Sequence, residues 1–248
     1  MTYVKILKDT TSTKMKCVLL NLLFLLVENT LVDCACSGDR NPPGRGHNSM
    51  MMNYSINTTW DGQAIDHLPV TISMEPDRCY NLVVTVDAPF FNDPANPGGK
   101  PGQPFPQLWD YEVAEVFFLN DQNDYLEVEL SPHGQHLLLL LHGRRNSFKD
   151  QLPLDFTAHI TKDRWTGRAT IPYHYFPPKV TKFNAYAIHG SGTNRTYESL
   201  YPVPAGNYSD PDFHKLEYFQ PIDFTHMLKN WSPTYTSEEW KPYYHIIG

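Results

Sequence analysis

The chain is short of cysteine, of long apolar runs and of basic charge, and each shortage excludes something. Its four cysteines stand at positions 17, 34, 36 and 79 of 248 residues, so the chain beyond residue 54 holds only Cys79. No disulfide framework can be built within that body, and no CxxC pair exists to hold a metal. A large domain with one cysteine fits a reducing compartment. The net charge is −7, and the densest basic cluster, Arg144-Arg145 with Lys149, reads as a solvated turn. Nucleic acid is therefore not an expected partner, because phosphate binding needs a concentrated basic patch. The apolar run "CVLLNLLFLLV" at 17–27 is too short for a stable membrane span. No G-x-S-x-G occurs, and "GGKPGQ" (98–103) does not sit between a strand and a helix as a phosphate loop requires. Eleven histidines are present, yet no H-x-H or H-E-x-x-H pattern appears. Neither a metal nor a cofactor is expected.

What the chain has instead is aromatic residues and turns. Aromatics reach 13%, and 21 prolines cut the chain into pieces too short for a helical bundle. From Tyr54 onward, apolar segments of four to nine residues recur between Gly, Pro, Asn and Asp. They include "PVTISM" (69–74), "YNLVVTVDAP" (80–89), "DYEVAEVFFL" (110–119), "DYLEVELS" (124–131), "HLLLLLHG" (136–143), "LDFTAHI" (154–160), "RWTGRATIP" (164–172) and "KFNAYAIHG" (182–190), with "YFQPIDF" (218–224) as a last strand. Short period-two segments with frequent turns predict an all-β antiparallel β-sandwich. One or two helical turns are expected, at 171–176 and 224–230. The predicted organisation is a signal-like or extension segment with a flexible linker over 1–53, the sandwich over 54–228 and a loosely attached tail over 229–248.

The first fifty residues admit two readings. Lys14, Lys16, the apolar run and the small residues Cys34, Ala35 and Cys36 match a signal peptide, and secretion follows if the segment over 14–36 is one. Sequons beginning at Asn53, Asn57, Asn194 and Asn207 would then be usable. The adopted reading is an upstream extension, with translation starting at Met51 or Met52 and a cytoplasmic protein.

The stretch "FPQLWDYEVAEVFFLN" carries the main chemical question. In a strand, Glu112 and Glu115 point to opposite faces. Val113, Phe117 and Leu119 then share the face of Glu115, while Ala114, Val116 and Phe118 share that of Glu112. Both faces are apolar, so the strand is expected to be central, and a buried glutamate there needs a partner such as Arg144, Arg145 or Arg168. Glu127 and Glu129 share one face of the next strand, expected to be solvated. Glu115 with Glu127 or Glu129 could still span a cleft at the spacing of glycoside hydrolases. "HGSG" (189–192) reads as a structural turn. The Asp/Asn-rich stretches "NDQND" (120–124) and "FFNDP" (90–94) read as turns rather than calcium loops. Trp60, Trp109, Tyr173, Tyr175, Tyr201, Trp231 and Trp240 fall at strand ends or in loops, where rings can stack on a sugar while polar groups hold its hydroxyls.

Two resemblances add to this. "TWDG" (59–62), "DAPFFNDP" (87–94), "LWDYEVAEVFFLN", "YLEVELSPHGQHLLLLLHGRRN", "YFPPKVTKF", "AIHGSG", "YESLYPVP" and "PDFHKLEYF" resemble an animal open-reading-frame family without an assigned function, over about 56–224. Members of that family begin near the position of Met51. More loosely, Trp109, Asp110, Glu115 and Phe117, then Tyr125, Glu129, Pro132 and Gly134, then Trp165, Gly167, Ile171 and Pro172, then Phe213, His214, Glu217 and Phe219 are similar to the motifs of carbohydrate-binding module family 9-like domains. That resemblance implies a β-sandwich that binds sugar chain ends between aromatic rings and performs no chemistry. The region "SGTNRTYESLYPVP" departs from the pattern where an Arg and a Trp commonly stand; Arg195 and Tyr201 lie near those places.

The expected function is non-catalytic ligand binding, with a carbohydrate as the ligand. The binding set is Trp109 and Tyr201 for stacking, with Arg144, Asn146, His189 and Arg195 for hydroxyl hydrogen bonds. A glycoside-processing enzyme using Glu115 with Glu127 or Glu129 is one alternative. An intracellular protein-interaction module without a sugar site is the other, its partner unspecified.

Overall fold

Alternating apolar side chains with β-branched and aromatic residues make extended segments that must bury a face against something. The computed structural model describes residues 51–79, 81–223 and 236–244. The described residues all fall within one compact unit, Ser49–Gly248. The signal-like segment, Trp231 and the helical turn expected at 224–230 lie outside them.

The strands are β1 (Met52–Ile56), β2 (Thr58–Thr59), β3 (Val70–Pro76), β4 (Leu82–Pro89), β5 (Val113–Asn120), β6 (Asp124–Leu130), β7 (His136–His142), β8 (Ser147–Asp150), β9 (Asp155–Thr161), β10 (Arg164–Ile171), β11 (Val180–His189), β12 (Thr196–Ser199) and β13 (Gln220–Pro221). They form two antiparallel sheets. The smaller has the order β1-β3-β4-β10-β9; the larger runs β2-β12-β11-β5-β6-β7-β8, with β13 beside β11. Short 3-10 turns occur at Leu108–Asp110, Tyr173–Tyr175, Gly192–Asn194 and Leu216–Tyr218, and a four-residue helix spans Lys241–Tyr244. The fold is thus the all-β sandwich read from the sequence, with the turn at 171–176 in place. Among the described residues no helix is long and apolar enough to cross a membrane.

The core between the sheets takes one set of alternate side chains. Val84 and Val86 of β4 and Trp165, Ala169 and Ile171 of β10 meet Ala114, Val116 and Phe118 of β5, Leu126 and Val128 of β6, and Phe183 and Ala185 of β11. Gly167 belongs to this packing, because a Cβ there would stand 2.8 Å from the Trp165 ring. The larger sheet is also covered on its second face. Val113, Phe117, Tyr125, Leu137, Leu139, Tyr186 and Ile188 pack there beneath Leu108, Phe213, Leu216 and Phe219. Every residue of β5 and β6 is therefore buried.

Three expectations are corrected. Glu127 and Glu129 are not on a solvated face; they are 5% and 0% exposed, because the loops carrying Leu108 and Phe213 roof their side of the sheet. The last strand shrinks to two residues, Gln220 and Pro221, paired with Phe183 and Lys182. The described end of the chain is not a loose tail. Trp240 is fully buried among the core residues, and its Nε1–H donates to the Tyr175 carbonyl at 3.0 Å. Asn120 Nδ2 donates to the Tyr244 hydroxyl at 3.0 Å. An indole with its single donor paired can be buried whole, which anchors the segment.

Trp240→Ala is expected to lower unfolding stability by about 3–5 kcal/mol, read from urea denaturation. Trp109→Ala, at a surface position, should cost roughly 0.5 kcal/mol or less.

Candidate functional site

The second face of the larger sheet carries an acidic patch among its apolar side chains. In the strand register Glu115 stands opposite Glu129 on one side and Tyr186 on the other, and Glu127 stands opposite Phe117. Directly opposed residues have Cβ atoms about 5 Å apart, and diagonal ones lie within reach of long side chains. Glu115, Glu127 and Glu129 thus form a single cluster. Glu112 points the other way, as the alternation requires. Its two carboxylate oxygens accept the backbone N–H groups of Phe91 and Asn92 at 3.1 and 2.7 Å.

Between this face and its roof lies a cavity of about 480 Å³. Its floor includes Glu115 and Phe117 of β5, Glu127 of β6, Leu139 and Leu141 of β7, and Ile188 of β11. Its walls include Trp109, Tyr197, Phe213, His214, Arg145 and Arg195. Trp109 remains 40% exposed, so its ring stands where the cavity meets solvent.

Burial governs the protonation of the acids. It pushes the Glu115 carboxyl well above its ordinary range; the Glu127 charge adds to this and Arg195 opposes it. The Glu127 carboxyl is pushed up to about 8 by burial, with Arg145 pulling the other way. Glu129 is raised well above its range by burial and then by the charges of Glu115 and Glu127. Glu127 and Glu129 interact through a side-chain hydrogen bond, and no other partner reaches the Glu129 oxygens or Oε2 of Glu127. Adjacent buried carboxylates cannot all ionise, so the cluster keeps its protons near neutral pH.

The basic groups are mostly committed. Arg195 Nη1 donates to the Asp110 carbonyl at 2.9 Å and to the Gly190 carbonyl at 3.3 Å, and Nη2 donates to the Trp109 carbonyl. It clamps the Leu108–Asp110 turn and so positions the Trp109 ring. Its guanidinium also lies 5.6 Å from the centroid of the Tyr197 ring. Arg145 Nη2 donates to Asp212 at 2.6 Å. Burial works against the Asp212 charge, but the His214 N–H and Arg145 together hold its carboxyl below the usual range. His214 is pushed down to about 4 by burial and then by the Arg145 charge, so it is neutral. The Tyr125 hydroxyl accepts the Arg145 N–H at 2.9 Å and lies 2.7 Å from His214 Nδ1.

Of the six binding residues read from the sequence, the cavity gathers Trp109 and Arg195. The other four lie outside its lining. Arg144 pairs with Glu217 at 2.5 Å, and Asn146 holds its own turn through the His142 carbonyl at 2.9 Å. His189 stands 2.8 Å from Glu198. Tyr201 packs edge-on against Phe183 in the core between the sheets. Arg145, Tyr197, Phe213 and His214 line the cavity without having been singled out as binding residues. The alternation Tyr197/Glu198 was the available signal for Tyr197, since it follows the same rule as Glu112/Glu115. For Arg145, the left-handed backbone (φ 58°) turns its side chain toward Asp212 where its neighbour turns to Glu217. The HGSG segment is a structural turn as read: Gly190 has φ 77°, and a Cβ there would stand 2.2 Å from the Asn194 carbonyl oxygen. The NDQND turn is closed by its own side chains, with Asn120 Oδ1 accepting the Gln122 and Asp124 N–H groups at 2.9 Å.

No protein-family model matches the chain. Among known proteins it is 56% identical to the UPF0462 protein C4orf33 homolog of Danio rerio over 178 residues, which cover 70% of this chain and 89% of that one. It is 52% identical to the human UPF0462 protein C4orf33 over 195 residues, 77% of this chain and 93% of that one. The mouse homolog is 52% identical over 194 residues, 77% and 96% of the two chains. Among solved structures, a "putative carbohydrate-binding protein" from Bacteroides uniformis aligns with a TM-score of 0.49 at 12% identity, covering 70% of this chain and 85% of that one.

The acidic cluster has a pH signature. The folded protein holds these protons to higher pH than the unfolded chain does. Their contribution is therefore intact below the unfolded Glu value of ~4.3 and is lost as pH rises through the folded value of about 8. Glu129→Gln, which stays neutral, should melt about 5 °C above the unmodified protein at mildly alkaline pH. The gap should close in mild acid, as followed by thermal denaturation across pH.

Proposed function

The chain belongs to the UPF0462 (C4orf33) family, and from the cavity beneath its larger sheet we propose that it binds a small polyhydroxylated ligand, a carbohydrate, without turning it over. One observation carries this reading: the cavity joins the rings of Trp109, Tyr197 and Phe213 to the carboxyl groups of Glu115 and Glu127. Sugar rings have apolar faces that lie against aromatic rings, and their hydroxyls are each donor and acceptor. A neutral carboxylic acid is also donor and acceptor, so it can answer a hydroxyl in both senses. The cavity falls within the range of small-molecule sites and suits a mono- or disaccharide.

A second reading, glycoside hydrolysis, is favoured by the presence of Glu115 and Glu127 in one cavity. It needs one protonated and one ionised carboxyl, as general acid and as base or nucleophile. Burial raises all three acids, which supplies the acid, while the ionised Asp212 at the same cavity is committed to Arg145 and is not free to act as base or nucleophile. Binding is therefore the preferred function.

Isothermal titration or saturation-transfer NMR against a panel of mono- and disaccharides tests this. Saturable binding of an unconverted sugar is expected. Trp109→Ala should weaken it about tenfold, the equivalent of ~1.4 kcal/mol. Arg195→Ala should weaken it too, by releasing the Trp109 turn. A panel without any binder would overturn the proposal; release of reducing sugar that Glu115→Gln abolishes would establish the hydrolase instead.

A further inference from the structure

The hairpin formed by β11 and β12 presents Ile188 and Tyr197 to the cavity. Strand alternation turns the intervening residues to the opposite side, and a second constellation stands there. His189 ends β11, Glu198 lies in β12, and His67 comes from the loop before β3. Glu198 is fully buried. Its Oε1 lies 2.8 Å from His189 Nε2 and 3.0 Å from His67 Nε2, and the donor atoms of the three side chains all fall within 4.8 Å of one another.

The protons of this cluster do not balance without a cation. His67 Nδ1 stands 2.9 Å from the Leu68 carbonyl oxygen. A carbonyl only accepts, so the proton of the neutral ring is on Nδ1 and Nε2 presents a lone pair. That lone pair faces an oxygen of Glu198, another acceptor, and makes no hydrogen bond. Oε2 of Glu198 is also buried without a partner. A buried carboxylate with an acceptor aimed at it is unfavourable unless a positive ion stands between them.

The surroundings hold the rings in place. His189 stacks on Phe91 with centroids 3.7 Å apart and planes within 5°. His67 meets the edge or face of Phe91 at 5.0 Å and of His189 at 5.2 Å, nearly perpendicular to each. Phe91 is itself fastened through its N–H to Glu112.

We propose that His67, His189 and Glu198 form a binding site for a divalent transition-metal ion of the zinc class. Two imidazole nitrogens and one carboxylate are the protein ligands of zinc sites that keep a further position for water. Tetrahedral ligands at ~2.1 Å stand ~3.4 Å apart, so on closure both Glu198 distances would open by about half an ångström, and the donor atoms already lie within 4.8 Å of one another. The Leu68 carbonyl on His67 Nδ1 is the outer partner that fixes the tautomer of a metal-bound imidazole. His67 comes from a loop far earlier in the chain than the hairpin that carries His189 and Glu198, which is why no H-x-H or H-E-x-x-H spacing announces them. The site is separate from the cavity and does not rest on carbohydrate binding.

Calorimetric titration of the full chain with zinc chloride tests this, with cobalt(II) as a spectroscopic substitute. The unmodified protein is expected to bind one metal equivalent more than His67→Gln and Glu198→Gln, and its cobalt form to show a visible ligand-field band that both variants lose. His67 lies on a loop, so His67→Gln carries the test even if Glu198→Gln does not fold. Zinc should raise the melting temperature of the unmodified protein and leave that of His67→Gln unchanged. Equal stoichiometry and equal cobalt spectra in the unmodified protein and His67→Gln would overturn the proposal, leaving a proton as the shared cation of the cluster.

Discussion

Burial of β5 and β6 on both faces withdraws their carboxyl groups from bulk water, and the rest of the site answers to that constraint. A carboxyl group in such a place must find a cation or keep its proton. Glu115, Glu127 and Glu129 keep protons, because Arg195 and Arg145 approach them but spend their hydrogen bonds on backbone carbonyls and on Asp212. The result is an unusual cavity floor: carboxylic acids rather than carboxylates, set among leucine, isoleucine and phenylalanine.

Arg195 connects the floor to the roof. Its charge bears on Glu115, while its N–H groups hold the carbonyls of Trp109 and Asp110. It therefore sets the place of the exposed ring at the cavity rim, a positioning role distinct from the ligand hydrogen bond that the sequence suggests for it. The β11–β12 hairpin that carries Arg195 works on both its faces. Tyr197 faces the cavity, while its neighbour Glu198 faces His67 and His189. A hairpin two residues out of register would exchange neither set for the other but would misplace both, and Gly190, at a position no Cβ can occupy, holds the turn that sets the register.

Much of the fold was legible because period-two alternation is a local property. The strands from 69 to 190, the turn at 171–176, the opposed directions of Glu112 and Glu115 and the central place of β5 all follow from neighbouring residues. The environment of Glu127 and Glu129 was not legible. Alternation states that they share a face; it does not state what covers that face, and the cover comes from Leu108, Phe213 and Leu216 in loops on either side of the sheet in sequence. Trp240 misled for a related reason, since its burial depends on a carbonyl at Tyr175 far earlier in the chain. Trp109 and Arg195 were visible as an exposed aromatic and a loop cation, whereas Arg145 rather than Arg144 turns to the cavity because of one backbone angle.

The sequence by itself determined the class of fold, the faces of its strands and the polarity pattern along them, since each depends on residues within a few positions of one another. Only the tertiary structure decided which faces are roofed, which acids are thereby kept neutral and which distant side chains meet. Those outcomes depend on loops closing over a sheet and on strands pairing across long stretches of chain, where local spacing carries no information.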